Sequence, residues 1–231
     1  MKTMENNEKN NQQPNESTMQ KCQYIILQGF KKVVITGANQ TNETKKTEPN
    51  DVFAKDNANT VRVIHDVHSS TQIFQPIKSK NAEETPAEIE LMVSLDTRIY
   101  ISNCGEVYVN DIDCKTLNIT LDNAYAEINN VSALRFHCLL TNSLVSLSSL
   151  STDFADIQIH EKTRLITDYL RVDTLLLTAK KTSVIILHGL EVNRVFETVH
   201  EDCIKILKGY RNRKKLTMQD VFKAVKNSPQ Y

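Results

Sequence analysis

From about residue 99 onward the chain alternates apolar and polar positions, and the alternating blocks recur. Val107, Ala126, Val145 and Leu165 recur with a period of about 19–20 residues. Val109, Ile128, Leu147 and Thr167 follow two places later. Ile112, Val131, Leu150 and Leu170 form a third set. Leu117, Phe136, Ala155 and Leu175, then Ile119, Cys138, Ile157 and Leu177, then Leu121, Leu140, Ile159 and Ala179 keep the same period. A further turn begins with Ile185, Leu187 and Leu190. Period two is the signature of strands, not of helices. One such unit cannot bury its own apolar face, whereas stacked units can, each strand pairing with its equivalent about 4.8 Å away. The pattern therefore predicts an all-β fold: a single-stranded right-handed parallel β-helix, a solenoid of 19–20-residue coils with an aliphatic interior. Thr167 is the polar residue in an otherwise apolar column.

The flanks read differently. Residues 1–20 are rich in Asn, Gln, Glu and Lys and have almost no apolar content, which predicts a disordered polar tail. Residues 21–90 predict an N-terminal β lobe: a strand-like stretch from Cys22 to Gly37, short strands at Val61–Ile64, Thr71–Phe74 and Ile89–Val93, and polar loops between them. The β-helix is expected over 91–191. Over 192–231 the spacing of Val195, Phe196, Val199, Cys203, Ile206 and Leu207 predicts an amphipathic helix that caps the open end of the solenoid. Val221, Phe222 and Val225, after a capping-like Thr217-Met-Gln-Asp220, predict a second short helix. Between them runs a basic connection containing Arg211, Arg213, Lys214 and Lys215. It reads either as a solvated charge run or as a phosphate-binding patch.

Phe30-Lys-Lys-Val-Val-Ile-Thr-Gly37, Asn103-Cys-Gly-Glu-Val-Tyr-Val109 and the strand pairs that follow, as far as Ile185-Ile-Leu-His-Gly189, resemble the putative auto-transporter adhesin head GIN domain family of bacterial proteins. The turns here, such as Asp122-Asn-Ala-Tyr125, are poorer in Ser and Gly than that family's. The resemblance implies a parallel β-helix, a role in adhesion, and an exported or cell-envelope location. It brings no catalytic residues.

Composition narrows the function classes. Lys+Arg and Asp+Glu balance at 28 each, so a globally basic nucleic-acid binder is excluded. The absence of Trp and an aromatic share of 6% argue against a carbohydrate or nucleobase stacking platform, and five Gly argue against Gly-rich phosphate loops. No apolar run approaches the roughly 18 residues of a membrane span, and the polar start has no export signal, which predicts a cytoplasmic protein. Five cysteines without a C-x-x-C pair predict neither a disulfide framework nor a zinc site.

Candidate chemistry is sparse. His65-x-x-His68, with Asp66 beside it, suggests a metal site, but i, i+3 spacing on a strand sends the two imidazoles to opposite faces. Asp111 and Asp113 flank Ile112 and invite comparison with carboxylate sites, although later coils carry Asn130/Ser132 and Ser149/Ser151 there. Asn118, His137 and Asp156 share an outward column in which a His–Asp pair reads as cross-strand charge pairing. Cys138 reads as a small buried hydrophobe. Asn110, Asn129, Ser148 and Asp168 are either an inter-coil hydrogen-bond ladder or a simple turn preference. The expectation is a non-enzymatic structural or interaction protein that presents solenoid faces to an unidentified protein or glycan, with no catalytic, cofactor-binding or metal-binding residues and no cofactor. Self-association through the solenoid ends or faces is a further expectation. The alternatives are a carbohydrate-active β-helix enzyme and a polymer-forming cytoplasmic scaffold.

Overall fold

The computed structural model describes residues 24–37, 53–55, 61–66, 71–76, 88–93, 97–209 and 211–212. These residues form an all-β solenoid of parallel coils. Four strands make its centre: β8 (Glu106–Asp122), β9 (Tyr125–Thr141), β10 (Leu144–His160) and β11 (Arg164–Ala179). Each is one complete coil, and each pairs in parallel with the next. All the inward columns predicted from the period are buried, from Val107 and Val109 at 0% exposed to Cys138 at 5%. Register equivalents step evenly from Glu106 through Tyr125 to Leu144, and the steps onward to Arg164 and Val184 are one position longer. The extra residue enters the turn, which lengthens from Asn142–Ser143 to Glu161–Thr163, so the columns stay aligned.

Two breaks divide a coil into three walls. The β8–β9 pairing runs through Asn110, resumes at Ile112, and skips once more between Cys114 and Thr116. At the first break Asp111 and Asn130 take φ values of 55° and 54°, a left-handed conformation that Asp and Asn tolerate. The same bend in the fifth coil uses Gly189 (φ 55°), where a Cβ would sit 2.5 Å from the Asp168 carbonyl oxygen. Asn side chains bridge the bends. Asn129 Nδ2 donates to Asn110 Oδ1 at 3.0 Å, Ser148 Oγ donates to Asn129 Oδ1, and Asn130 Nδ2 donates to Asp111 Oδ1 at 3.0 Å. The column is therefore a ladder from Asn110 to Ser148. Thr167, fully buried, accepts a hydrogen bond from the His188 amide at 3.2 Å, which satisfies its hydroxyl.

The strands before residue 97 join the same sheet, out of chain order. β1 (Tyr24–Gln28) lies between β5 (Thr71–Pro76) and β7 (Arg98–Ser102), and β2 (Lys32–Gly37) lies between β6 (Glu88–Val93) and β8. The first strands of the chain are thus slotted between later ones. β3 (Phe53–Lys55) and β4 (Val61–Asp66) run antiparallel to β6 and β5 and occupy their outer edges.

The expected helix over Val195–Leu207 is replaced by strands: β12 (Val184–His188), β13 (Leu190–Val199) and β14 (Ile204–Lys208) form further coils, with β15 (Arg211–Asn212) beside β13. The chain there satisfies two periods at once, and pairing with β11 and β12 decides between them, because an isolated helix this short is marginal in water. Among the described residues there is no helix. The polar tail 1–20 and the second expected helix, with Val221, Phe222 and Val225, lie outside the described residues. In the last coils two interior columns turn charged. Glu197 follows Leu177, Lys205 follows Ile185, and the two side chains form an ion pair. Val195, Val199 and Cys203 pack against the core below it.

Ile157 lies fully inside the stack, at 1% exposed. Ile157→Ala should lower unfolding free energy by about 2–5 kcal/mol in chemical denaturation, as expected for a core truncation. Gln158→Ala, on the outward side, should change it by no more than about 0.5 kcal/mol. Equal effects at both positions would contradict the assignment of inside and outside.

Candidate functional site

The second break in each coil sets up a concavity. Between the first wall and the last, three residues from each of five coils line a groove of about 700 Å³. Its two flanks are exposed columns. One is Asp113, Ser132, Ser151, Arg171 and the half-buried Glu191; the other is Lys115, Leu134, Asp153, Asp173 and Asn193. Between the flanks Ala133, Thr152, Val172 and Val192 point inward and are buried. The period-two rule produces this shape: positions on either side of an inward residue project outward together, and stacking repeats them at the inter-strand spacing.

Polar side chains in the groove are held from their own columns. Asp173 accepts hydrogen bonds from Asn193 Nδ2 at 2.7 Å and from Thr174 Oγ1 at 3.2 Å, which fixes its carboxylate. Thr152 Oγ1 donates to main-chain carbonyls, with Leu134 O at 3.2 Å and Phe154 O at 3.0 Å. Asp153 and Asp173 stand at equivalent places in adjacent coils, so two carboxylates share one flank. Among the described residues no three His, Cys, Asp or Glu side chains are grouped to hold a metal ion.

The residues singled out from the sequence are distributed as follows. Asp113 lines the groove, while Asp111 sits on the bend and is engaged by Asn130, so the pair does not act together. His137 Nδ1 lies 3.6 Å from Asp156 Oδ2, with Asn118 next in the column, and the imidazole stacks obliquely on Phe154 at 5.7 Å. That is the expected cross-strand pair, and it lies on the outer wall beyond the groove lining. Cys138 is buried, and burial pushes its thiol up to about 12, the nearby Asp156 adding to the effect. Its thiolate is thereby suppressed. Cys104, Cys114, Cys138 and Cys203 are all free. His65 falls in β4, paired with Gln72 of β5; His68 lies outside the described residues, as do Arg213, Lys214 and Lys215, and Arg211 opens β15.

One column escaped the sequence reading. Cys104, Ala124, Ser143, Thr163, Ser183 and Cys203 occupy the turn between coils, with Ser143 Oγ donating to the Thr141 carbonyl at 2.7 Å and Ser183 Oγ to the Lys180 carbonyl at 2.8 Å. Small residues recur there, all but Ala124 carrying a side-chain donor, a signal hidden by the absence of large apolar side chains. The groove flanks were equally hidden, because their side chains differ in every coil.

No protein-family model, curated protein or solved structure matches this chain.

His160, at the end of the outer wall, has a buried Nε2 without a hydrogen-bond partner among the described residues. Burial, and secondarily the Lys180 charge, depress its proton affinity, with Glu161 opposing. The folded state therefore binds this proton less readily than the unfolded chain. As pH falls below about 6.5 the unfolded chain takes up the proton first, so stability decreases with falling pH until the folded-state pKa is passed. His160→Gln should flatten the pH dependence of the melting midpoint between about pH 7 and 5; an unchanged slope would assign the acid sensitivity elsewhere.

Proposed function

We propose that the protein is a non-enzymatic binding module whose five-coil groove receives an extended glycan. One observation carries this reading: each coil adds one residue to each of two parallel flanks, so that carboxylate, guanidinium, ammonium, amide and hydroxyl groups are set out at the coil spacing along a groove of about 700 Å³. Ligand groups spaced along a chain would meet a new set of hydrogen-bonding partners at each coil. Protein–protein hot spots centre on aromatic and Arg anchors in apolar pockets, whereas Leu134 is the one large apolar side chain exposed on these flanks. Four acidic residues against Arg171 and Lys115 favour a neutral or amino sugar over a polyanion. An adhesin-like role agrees with the GIN-domain resemblance of residues 30–189.

A second reading has its own observation. Asp153 and Asp173 project from adjacent coils into the same groove. Paired carboxylates are the usual equipment of glycoside hydrolysis, so the same groove supports a carbohydrate-active enzyme as the alternative.

Immobilised oligosaccharides of neutral, amino and acidic sugars, probed with the full-length protein, test both. The expected result is retention of a neutral or amino-sugar oligomer, weakened about tenfold or more by Arg171→Ala, a loss of about 1.4 kcal/mol. Retention should be unaffected by His137→Ala on the outer wall. A parent protein that retains no sugar sinks the glycan reading. Cleavage of a bound oligomer, abolished by Asp153→Asn, would establish the enzyme instead.

A further inference from the structure

The outer side of the first wall, which in β8 runs from Glu106 to Asn110, is unusually apolar for a solenoid surface. Among the described residues, four of the eight large apolar side chains left exposed stand on it: Tyr125 (39%), Leu144 (40%), Ile204 (58%) and Ile206 (40%). Register puts Tyr125, Leu144, Val184 and Ile204 in one outward column, interrupted by Arg164. Ile166, Ile186 and Ile206 follow in the next column. The stripe therefore crosses β9, β10, β11, β12 and β14 without a gap. A parallel sheet with aliphatic residues on both faces is ordinarily covered on both.

Charges on this face are sorted by end. Toward β6 stand Glu88, Glu90, Glu106 and Glu127 against Lys32; toward β14 stand Arg164 and Lys208 against Asp168. Two of the carboxylates are held by tyrosines. Tyr108 Oη donates to Glu106 Oε2 at 3.3 Å, and Tyr125 Oη donates to Glu127 Oε1 at 2.8 Å. Arg164 forms no ion pair among the described residues.

We propose that this wall is the interface of a homodimer: two copies pack face to face, with their coil stacks running in opposite directions about a two-fold axis at β10. Charge selects the partner and the orientation. Two copies with parallel stacks would set Glu106 and Glu127 against themselves, whereas opposed stacks bring the acidic end of each copy over the basic end of the other. β9 and β11 flank β10, so an axis there sets Tyr125 and Glu127 opposite Arg164 and Ile166 of the second copy, twice by symmetry. Leu144 then meets its own equivalent at the centre. Area agrees. Eight strands from β6 to β14 make up the wall. At about 4.8 Å per strand and about 3.3 Å per residue over five residues, it measures roughly 38 by 17 Å, about 650 Å² in plan. Side-chain relief raises the accessible area toward the roughly 800 Å² per partner of a stable interface. Stacking end to end is the other route to self-association, and the Glu197–Lys205 pair opposes it, because a further coil would bury both charges. The groove residues lie past the next bend of each coil, so glycan retention and dimerisation are separate readouts.

Sedimentation equilibrium of the full-length protein tests the interface, with far-ultraviolet circular dichroism as the control for folding. The parent is expected to be a dimer in the micromolar range. Leu144→Asp should raise the dissociation constant about a hundredfold or more, because symmetry buries two like charges against each other. Glu127→Arg and Arg164→Glu should each raise it about fivefold or more, and the double variant should return it to within about threefold of the parent. If Leu144→Asp loses its β signal, these charge variants carry the test. Leu134→Asp, in the groove, should leave the dissociation constant unchanged. A parent that stays monomeric at about 100 μM overturns the proposal and assigns the face to a different occupant. So does a dimer that a folded Leu144→Asp leaves intact, or one that Leu134→Asp dissociates equally. A double variant no tighter than the single ones overturns the opposed orientation.

Discussion

In-register stacking of inward columns is the constraint on which the molecule depends. A single coil has no interior of its own; Val107 becomes core because Ala126 and Val33 lie in register on either side. The cost of losing register is correspondingly high, since a slip of one residue would send every buried side chain outward. Several otherwise separate features serve this one requirement. The turns absorb the length difference between coils. The bends at Asp111, Asn130 and Gly189 repeat at one place in the coil. The Asn and Ser ladders join coils where the main-chain pairing is interrupted.

Among the described residues the two sides of the stack differ. At the N-terminal side β3 and β4 reverse direction, so the outer edges of β6 and β5 meet antiparallel partners. At the C-terminal side the direction is kept and the chemistry changes. Glu197 and Lys205 occupy columns that are apolar in the coils below and pair with each other. An ion pair partly open to water contributes little stability. It does make the end an unfavourable seat for another apolar coil, because stacking would bury both charges.

The central coils were legible in the sequence because large aliphatic residues mark nearly every inward position from Val107 to Ala179, and a stacked strand is what explains their long, regular recurrence. Legibility failed where that mark was lost. In the stretch from Val195 to Leu207, Glu197 and Lys205 replace the expected aliphatic residues, and the remaining apolar positions fit a helical stripe as well as a strand. The slotting of β1 and β2 between later strands was invisible because Ile25, Leu27, Val33 and Ile35 look the same whichever neighbours they have. The groove could not be read either, since it is a shape made by outward residues with no common chemistry. His137 and Asp156 were found because an offset of one coil sets them side by side.

The interleaved order of the first strands has a consequence for synthesis. β1 and β2 leave the ribosome before any of the strands that flank them: β5, β6, β7 and β8 are all later in the chain. The solenoid therefore cannot grow coil by coil from its N-terminus as it is translated. β1 and β2 start with both strand edges unpaired, gain one neighbour each from β5 and β6, and β2 meets its second neighbour only once residue 110 has emerged. Assembly that begins with the sequential coils of β8 to β11 and recruits the earlier strands afterwards involves only local pairings at the outset. On that route β1 and β2 are among the last of the described strands to find their place.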